Sequence, residues 1–394
     1  MDIAARHERP VAFRTLLAVL VVSGVAAWAL CIGYFFSGDG TLDHFRDAYG
    51  RDFINFWTAG HLAVAGLVQD IFDSVRLTAA QQALYHPQIH GHFWSYPPPA
   101  LLIVYPLGFL PYFTAFVLWT LAGFAALAWA ARKLFPDLSR QLLVLFCPAM
   151  AASVMVGQNG AFTAALLLGG LVCLERRPVL AGVLLGLLIF KPQLAVMLPV
   201  AALALRRWDT IAAAVVTVLV VALISTWAFG LQSWQAFIDY TLPAQVDSLE
   251  HGGGFLVLMP SAFASARLLG LYGEAIWVQL PFALLAVVLV WKGCRSERPM
   301  RDKIALIVCG TFVATPQAFI YDLVPLAAAA LLMLERRGPG WLMALLYALP
   351  LVSVAGVGFG APIAPLLMAG GLWVAYRSTR AACAQPNPER LQPA

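Results

Sequence analysis

Long apolar runs separated by short polar breaks dominate the chain. Runs of spanning or near-spanning length fall near residues 13–35, 97–110, 112–131, 141–156, 160–174, 179–190, 192–205, 210–230, 275–291, 304–315, 318–334, 341–357 and 361–376. Several are shorter than the roughly 20 residues that a helix perpendicular to a bilayer needs. Pro97-Pro98-Pro99, Pro106, Pro111, Pro148 and Pro192 punctuate them. Such breaks persist in a membrane only where neighbouring helices or a wet cavity satisfy the freed backbone groups. The pattern predicts an all-α fold, an irregular polytopic transmembrane helical bundle of about 10–13 segments. A single membrane domain over 1–380 is expected, followed by a disordered tail over 381–394.

Composition agrees. Of 394 residues, 61% are hydrophobic and 11% charged, against about 25% charged in ordinary soluble domains. The net charge of +5 gathers at helix ends, so it reads as a topology signal and excludes nucleic acid as a partner. Arg6, Arg9 and Arg14 place the amino terminus in the cytoplasm. Lys292, Arg295, Arg298, Arg301 and Lys303 form the densest basic loop, and Arg336–Arg337 and Arg377–Arg380 follow at the matching alternation. Arg176–Arg177 and Arg206–Arg207 also fall inside. One conflict remains: if 97–110 and 112–131 both span, Arg132, Lys133 and Arg140 land outside. A broken or re-entrant segment within 97–160 would remove it.

Two segments then face the exterior. The first, 36–96, has six acids against Arg46, Arg51 and Arg76, and five of the seven histidines. Within it, 52–67 and 74–85 read as short amphipathic helices lying on the membrane surface, with Phe53, Phe56, Trp57, Leu62 and Leu67 on the apolar side. The second, 231–274, carries Gly252-Gly253-Gly254 and a short apolar stretch expected to lie in the interface or re-enter. The six cysteines show no metal-like or disulfide-like spacing and read as packed thiols.

A charge inside a bilayer costs about 2.5–3.5 kcal/mol, so it marks function by default. After residue 97, Lys191 and Asp322 interrupt the apolar runs away from the basic ends. The orientation puts both toward the exterior, with Asp52 and the Gly157-Gln158-Asn159 break. Convergence of Asp52, Gln158, Lys191 and Asp322 would make a polar pocket at the outer interface. Each has a plainer reading: Asp52 as a helix N-cap, Lys191 as a snorkelling side chain, Asp322 as a bridge to Tyr321 or Lys191, and Gln158-Asn159 as a helix break. His86, His90 and His92 lie too irregularly to favour a metal over solvated or ring-packed histidines.

In order along the chain come Asp52-Phe53 with Trp57-Thr58-Ala59, then "FWSYPPPALLIVYPLGFLP", "GQNGAFTAALLLGGL", "LAGVLLGLLIFKPQLAV" and "TPQAFIYDLVPL". This order, over roughly 50–335, resembles glycosyltransferase family 87, integral membrane enzymes of the GT-C class. The resemblance implies a polyprenyl-phosphate sugar donor, typically the mannose form, and a glycan or glycolipid acceptor. It also implies a multi-pass protein of the bacterial inner membrane whose active site faces outward among membrane lipids. Asp52 then matches the family's catalytic aspartate, and Lys191 and Gln158 match polar positions near the donor. Lys191 would bind the donor phosphate, helped by a helix start at Pro192. Asn159, Tyr96, Trp57, Tyr321 and Asp322 would line the pocket, with Trp57, Trp94 and Tyr96 as possible sugar-stacking faces. Family mannosyltransferases can carry a histidine where this chain has Tyr321-Asp322, which leaves sugar and acceptor open. No cofactor is expected, and metal dependence stays open. A transporter or lipid flippase, or a non-catalytic factor in envelope polysaccharide assembly, would fit the same spans.

Overall fold

The computed structural model describes residues 4–251, 253–335 and 338–377. Arg336, Arg337, Gly252 and the expected tail 381–394 lie outside the described residues. The fold is all-α; the described residues hold no strand, only an isolated bridge between Leu42 and Ala48.

In chain order the first helices are α1 (Ala4–Phe36), α2 (Phe53–Val64), α3 (Ser74–Leu84), α4 (Pro99–Val104) and α5 (Tyr112–Leu134). Next come α6 (Leu138–Leu145), α7 (Pro148–Met155), α8 (Gly160–Cys173), α9 (Pro178–Gly186), α10 (Leu198–Ala204) and α11 (Trp208–Phe229). A run of short pieces follows: α12 (Gln232–Ala236), α13 (Leu242–His251), α14 (Gly253–Leu256) and α15 (Ala262–Leu268). The chain finishes with α16 (Ala275–Cys294), α17 (Met300–Ala314), α18 (Val324–Glu335), α19 (Gly340–Tyr347), α20 (Leu349–Gly358) and α21 (Ala364–Arg377).

Among the described residues five helices are long and apolar enough to cross a membrane, or six if the pair α19 and α20, bent by 81°, is one span. The other apolar helices are shorter, so the ten to thirteen segments expected are not all full-length crossings. Beyond the charged first turn of α17, helices α17 and α18 are apolar on nearly every side and buried almost throughout, as befits the centre of a bundle. Helix α11 is the opposite case. Val216, Leu219, Leu223 and Trp227 are exposed, a surface suited to lipid. Cys31, Cys147, Cys294 and Cys309 are buried free thiols.

The stretch 97–110 does not span. It folds as α4 followed by a tight 3-10 turn, Tyr105–Phe109, and packs on α2 and α11. If that piece is left out and the remaining apolar segments each cross, Arg132, Lys133 and Arg140 fall on the side of the other basic ends. Arg140, at the start of α6, and Arg301, at the start of α17, both pair with Glu335 at the end of α18. Arg301 also donates to the carbonyl of Leu134, the last residue of α5, at 3.1 Å. The ends of α5 and α18 and the starts of α6 and α17 therefore meet in one basic cluster.

The first loop also corrects an expectation. Helices α2 and α3 form, but α2 does not lie on a membrane surface. Phe53, Ile54, Phe56, Trp57 and Ala59 are all buried, packed with Trp94, Tyr96, Tyr112 and Trp119 in a second, aromatic core. A pattern of apolar faces cannot distinguish lipid from protein as the covering partner. Backbones come close at Gly60 and Gly108, where a Cβ on Gly108 would stand 2.3 Å from the Gly60 carbonyl oxygen.

Small residues also fasten α9 to α11. Gly182 and Gly186 sit one turn apart, and a Cβ on Gly182 would lie 2.4 Å from the Thr210 carbonyl oxygen. This is the small-residue spacing that lets two backbones approach in a membrane, and α9 leads directly to Lys191. Gly182→Leu should cost about 1–3 kcal/mol by overpacking, seen as a lower melting temperature in detergent. Melting that matches the native protein would show that the helices are not held here.

Candidate active site

The turn that delivers Asp52 is built by its neighbours. Gly50 and Arg51 both take positive φ, 74° and 32°, and a Cβ at Gly50 would stand 2.6 Å from the Phe116 ring. Asp52 occupies the N-cap position of α2, yet its side chain makes no capping bond. The carboxylate is free to serve elsewhere. One oxygen, Oδ2, accepts from Gln158 Nε2 at 2.9 Å, and Oδ1 lies 3.6 Å from His92 Nδ1.

Gln158 comes from the break between α7 and α8. Gly157 there has φ +65°, and a Cβ on it would stand 2.5 Å from that of Phe53 and 2.9 Å from the Gly50 oxygen. The break is thus pressed against the Asp52 turn. Gln158 Oε1 accepts from the Tyr96 hydroxyl at 3.0 Å and from the Asn159 backbone at 3.2 Å, which fixes the amide so that its nitrogen faces Asp52. The next side chain, Asn159, accepts through Oδ1 from Lys191 Nζ at 3.0 Å.

Lys191 sits between two single 3-10 turns, Leu187–Phe190 and Pro192–Ala195. The turn after it is too short to present the helix amino terminus expected at Pro192. Its ammonium is 3% exposed by residue and lies 2.6 Å from Asp322 Oδ1 and 5.1 Å from the Tyr321 ring centre. Asp322 is fully buried, and its Oδ2 accepts from the Phe319 backbone at 3.2 Å. Phe319 and Tyr321 stack at 5.1 Å, tilted by 9°.

Asp52, Gln158, Lys191, Tyr96 and Tyr321 all open onto one cavity of about 610 Å³. Asp322 and Asn159 do not line it; they stand behind Lys191. Trp57 does not line it either. Its ring packs on His61 and Tyr112, and its Nε1 donates to the Leu110 carbonyl at 2.8 Å. Trp94 is likewise in the aromatic core; besides Tyr96 and Phe190, the phenyl, phenol and indole rings facing the cavity are Phe93, Trp234, Phe237, Phe255, Phe319 and Tyr321. Trp234, Phe237 and Phe255 were not anticipated, because 231–274 read only as an interfacial stretch. That segment is the cavity's far wall. Gln245 Nε2 donates to the Ser95 carbonyl at 2.7 Å, and Ile320 N to the Leu258 carbonyl at 3.0 Å. A narrower apolar pocket of about 150 Å³, lined by Phe56, Ile103, Trp119, Phe162 and Leu166, shares Tyr96 and Phe190 with the main cavity.

His92, read from sequence as solvated or ring-packed, is instead clasped by carboxylates. Its Nε2 is 3.1 Å from Asp47 Oδ2. Burial opposes a charged imidazole, but bonds and charges from Asp47 and Asp52 outweigh it and push the pKa up to about 9. Burial likewise opposes the Asp47 carboxylate, yet His92, the Ala48 amide and Arg51 hold it below the usual range. Among the described residues no group of three or more His, Cys, Asp or Glu is placed to hold a metal.

An all-α membrane protein with a carboxylate and an ammonium on the wall of one mixed polar and aromatic cavity has the equipment for group transfer. Comparison with known families matches residues 94–316 to glycosyltransferase family 87. The chain belongs to that family and is an integral membrane glycosyltransferase, with a sugar donor and an acceptor. No match emerges among curated proteins or solved structures.

The raised His92 pKa carries a sign. Its stabilisation is complete below about pH 6.5, the unfolded value, declines above it, and is gone once the pH passes about 9. Amide exchange in α3 and residues 86–96 should therefore accelerate beyond the intrinsic base-catalysed rate over that window. Exchange that follows the intrinsic rate alone would contradict the assignment.

Proposed function

We propose that this enzyme moves a sugar, mannose by the family likeness, from a polyprenyl-phosphate donor to a hydroxyl of a glycan or glycolipid acceptor. Transfer occurs at the outer face of the inner membrane as a single inverting displacement, with Asp52 as general base. The observation that carries this reading is that Asp52 and Lys191 share one cavity in a chain of glycosyltransferase family 87.

The donor phosphate sits against Lys191. Two of the ammonium's three N–H donors go to Asp322 and Asn159, which leaves one for a phosphate oxygen. The isoprenoid tail would run over the apolar pocket beside Tyr96 and Phe190. The acceptor oxygen attacks the anomeric carbon opposite the phosphate. The C–O bond to phosphate breaks, its electron pair leaves on the phosphate oxygen, and the hydroxyl proton passes to Asp52. Lys191 is already in place where that charge develops. The basic cluster around Arg140, Arg301 and Glu335 supports this orientation. Helices α17 and α18 each run between that cluster and the Asp322 turn, so a cytoplasmic cluster puts the cavity outside.

Asp52→Asn should lower the transfer rate by about 10²–10⁴-fold with polyprenyl-phosphate mannose as donor. A near-native rate would end the base assignment. Lys191→Ala alone strands Asp322, so the informative variant combines it with Asp322→Asn. Donor KM should rise by a factor corresponding to about 1.5–3 kcal/mol, one charge-assisted hydrogen bond; an unchanged KM would remove Lys191 from the phosphate site. For orientation, Thr41→Cys in the first loop should react with a membrane-impermeant maleimide in intact spheroplasts. Glu297→Cys, in the basic loop, should react only after permeabilisation. The reverse pattern would place the site inside.

A further inference from the structure

One largely buried side chain on the cavity wall, His92, has no part in the mechanism above. His92 lies between two carboxylates, with Nε2 at 3.1 Å from Asp47 and Nδ1 at 3.6 Å from Asp52. Both ring nitrogens face acceptors, and only the doubly protonated imidazolium can present N–H to both. A neutral ring would turn a lone pair on one of the two acids.

The scaffold holds this ring from behind. Gln81 is fully buried on α3. It accepts from the His92 backbone N–H at 2.9 Å and donates to the His92 carbonyl at 2.9 Å. The same amide donates to Asn55 at 2.8 Å, on the first turn of α2 just beyond Asp52. One buried glutamine thus ties the segment carrying His92 to the helix that begins at Asp52. On the far side, the Asp47 backbone N–H donates to Asp43 Oδ1 at 2.9 Å, and Asp43 pairs with Arg51 at 3.1 Å.

We infer that His92 is a positioning residue for the transfer, an imidazolium anchored on Asp47 that holds one oxygen of Asp52 while Gln158 holds the other. The inference rests on Asp52 being the base. Without His92 the carboxylate keeps a single anchor, Gln158, and can rotate away from the acceptor hydroxyl. Since Asp47 lies nearer to the ring than Asp52, it is the acid that keeps the imidazolium in place when Asp52 takes up the substrate's proton.

The charged and titratable groups around the ring are few. The turn before α2 supplies Asp47 and Asp52, with Arg51 and Asp43 behind them. The 86–96 segment supplies His90, whose Nδ1 is 4.0 Å from Asp47, and Tyr96. Helix α3 gives only neutral Gln81, α2 neutral Asn55, and the α7–α8 break neutral Gln158. Lys191 and Tyr321 stand elsewhere on the cavity wall. Raising the pH past about 9 should therefore uncouple Asp52 by removing the proton from His92.

Two measurements on the full chain in nanodiscs test this. In protein labelled at histidine Cε1, the resonance assigned to His92 by its loss in His92→Gln should titrate near pH 9. Asp47→Asn and Asp52→Asn should each move that midpoint toward 6.5; no movement with either would overturn the clasp, and this readout needs no transferase activity. In transfer assays, His92→Gln should lower kcat tenfold or more (about 1.4 kcal/mol) with donor KM unchanged, and should abolish the alkaline fall in kcat. Native kcat with the native alkaline limb would overturn the positioning role. If His92→Gln does not insert, Asp47→Asn, which leaves the ring in place, should shift the alkaline limb to lower pH; an unmoved limb overturns it equally. A fully active Asp52→Asn would instead sink the base assignment itself.

Discussion

Two adjacent amides hold the site together. Gln158 donates to the Asp52 carboxylate and Asn159 accepts from the Lys191 ammonium, so one turn of backbone sets the relation between two charges far apart in sequence. That turn is positioned by Gly157, which meets Gly50 and Phe53 at distances no side chain could tolerate. The α7–α8 break is therefore the joint where the first loop locks onto the bundle. A helix running unbroken through this point would satisfy its own backbone but would present neither amide.

The bundle side of the joint is governed by desolvation. Lys191 and Asp322 are both buried, and a charge at such depth survives by pairing. Their contact at 2.6 Å is thus the condition for having an ammonium there at all. Asp322 was expected on the cavity wall, and its place behind Lys191 realises the plainer reading, a bridge. The loop side obeys a different rule. Its aromatic residues, from Phe53 to Trp119, make a core of their own, which gives a segment with many charges enough apolar burial to stand as a rigid wall.

Much of this was legible in the residues. An acid ahead of a helix, a lysine inside an apolar run and a Gly-Gln-Asn break are conspicuous because each violates the surrounding pattern, and those three positions do meet in space. Trp57 misled because an aromatic near an acid looks like a sugar platform, whereas ring orientation depends on Tyr112 and His61. His92 was hidden because its partner Asp47 lies 45 positions away in a segment with no regular period. The wall made by Trp234, Phe237 and Phe255 was hidden for a related reason: four short helices with no single periodic face leave no signal of which side turns inward. The helical class survived all these errors, since apolar length alone decides it.

The family likeness begins at residue 94, so it covers Tyr96, Gln158 and Lys191 but neither Asp52 nor His92. The matched part thus carries Lys191 and one support of the carboxylate, Gln158, while the part before it supplies the carboxylate itself and its other support, His92. This division fits the physics of the two jobs. In the proposed reaction the phosphate of a lipid-borne sugar would arrive at a fixed depth set by the bilayer, and Lys191, its ammonium already clamped by Asn159 and Asp322, would meet it there. Such a phosphate would add a contact and recruit no mobile side chain, so little reorganisation would accompany the build-up of charge. The acceptor hydroxyl has no such fixed depth. On this proposal the loop would define its position relative to the anomeric carbon, and a carboxylate held from two sides, by Gln158 on the bundle and by His92 within the loop, suits that task.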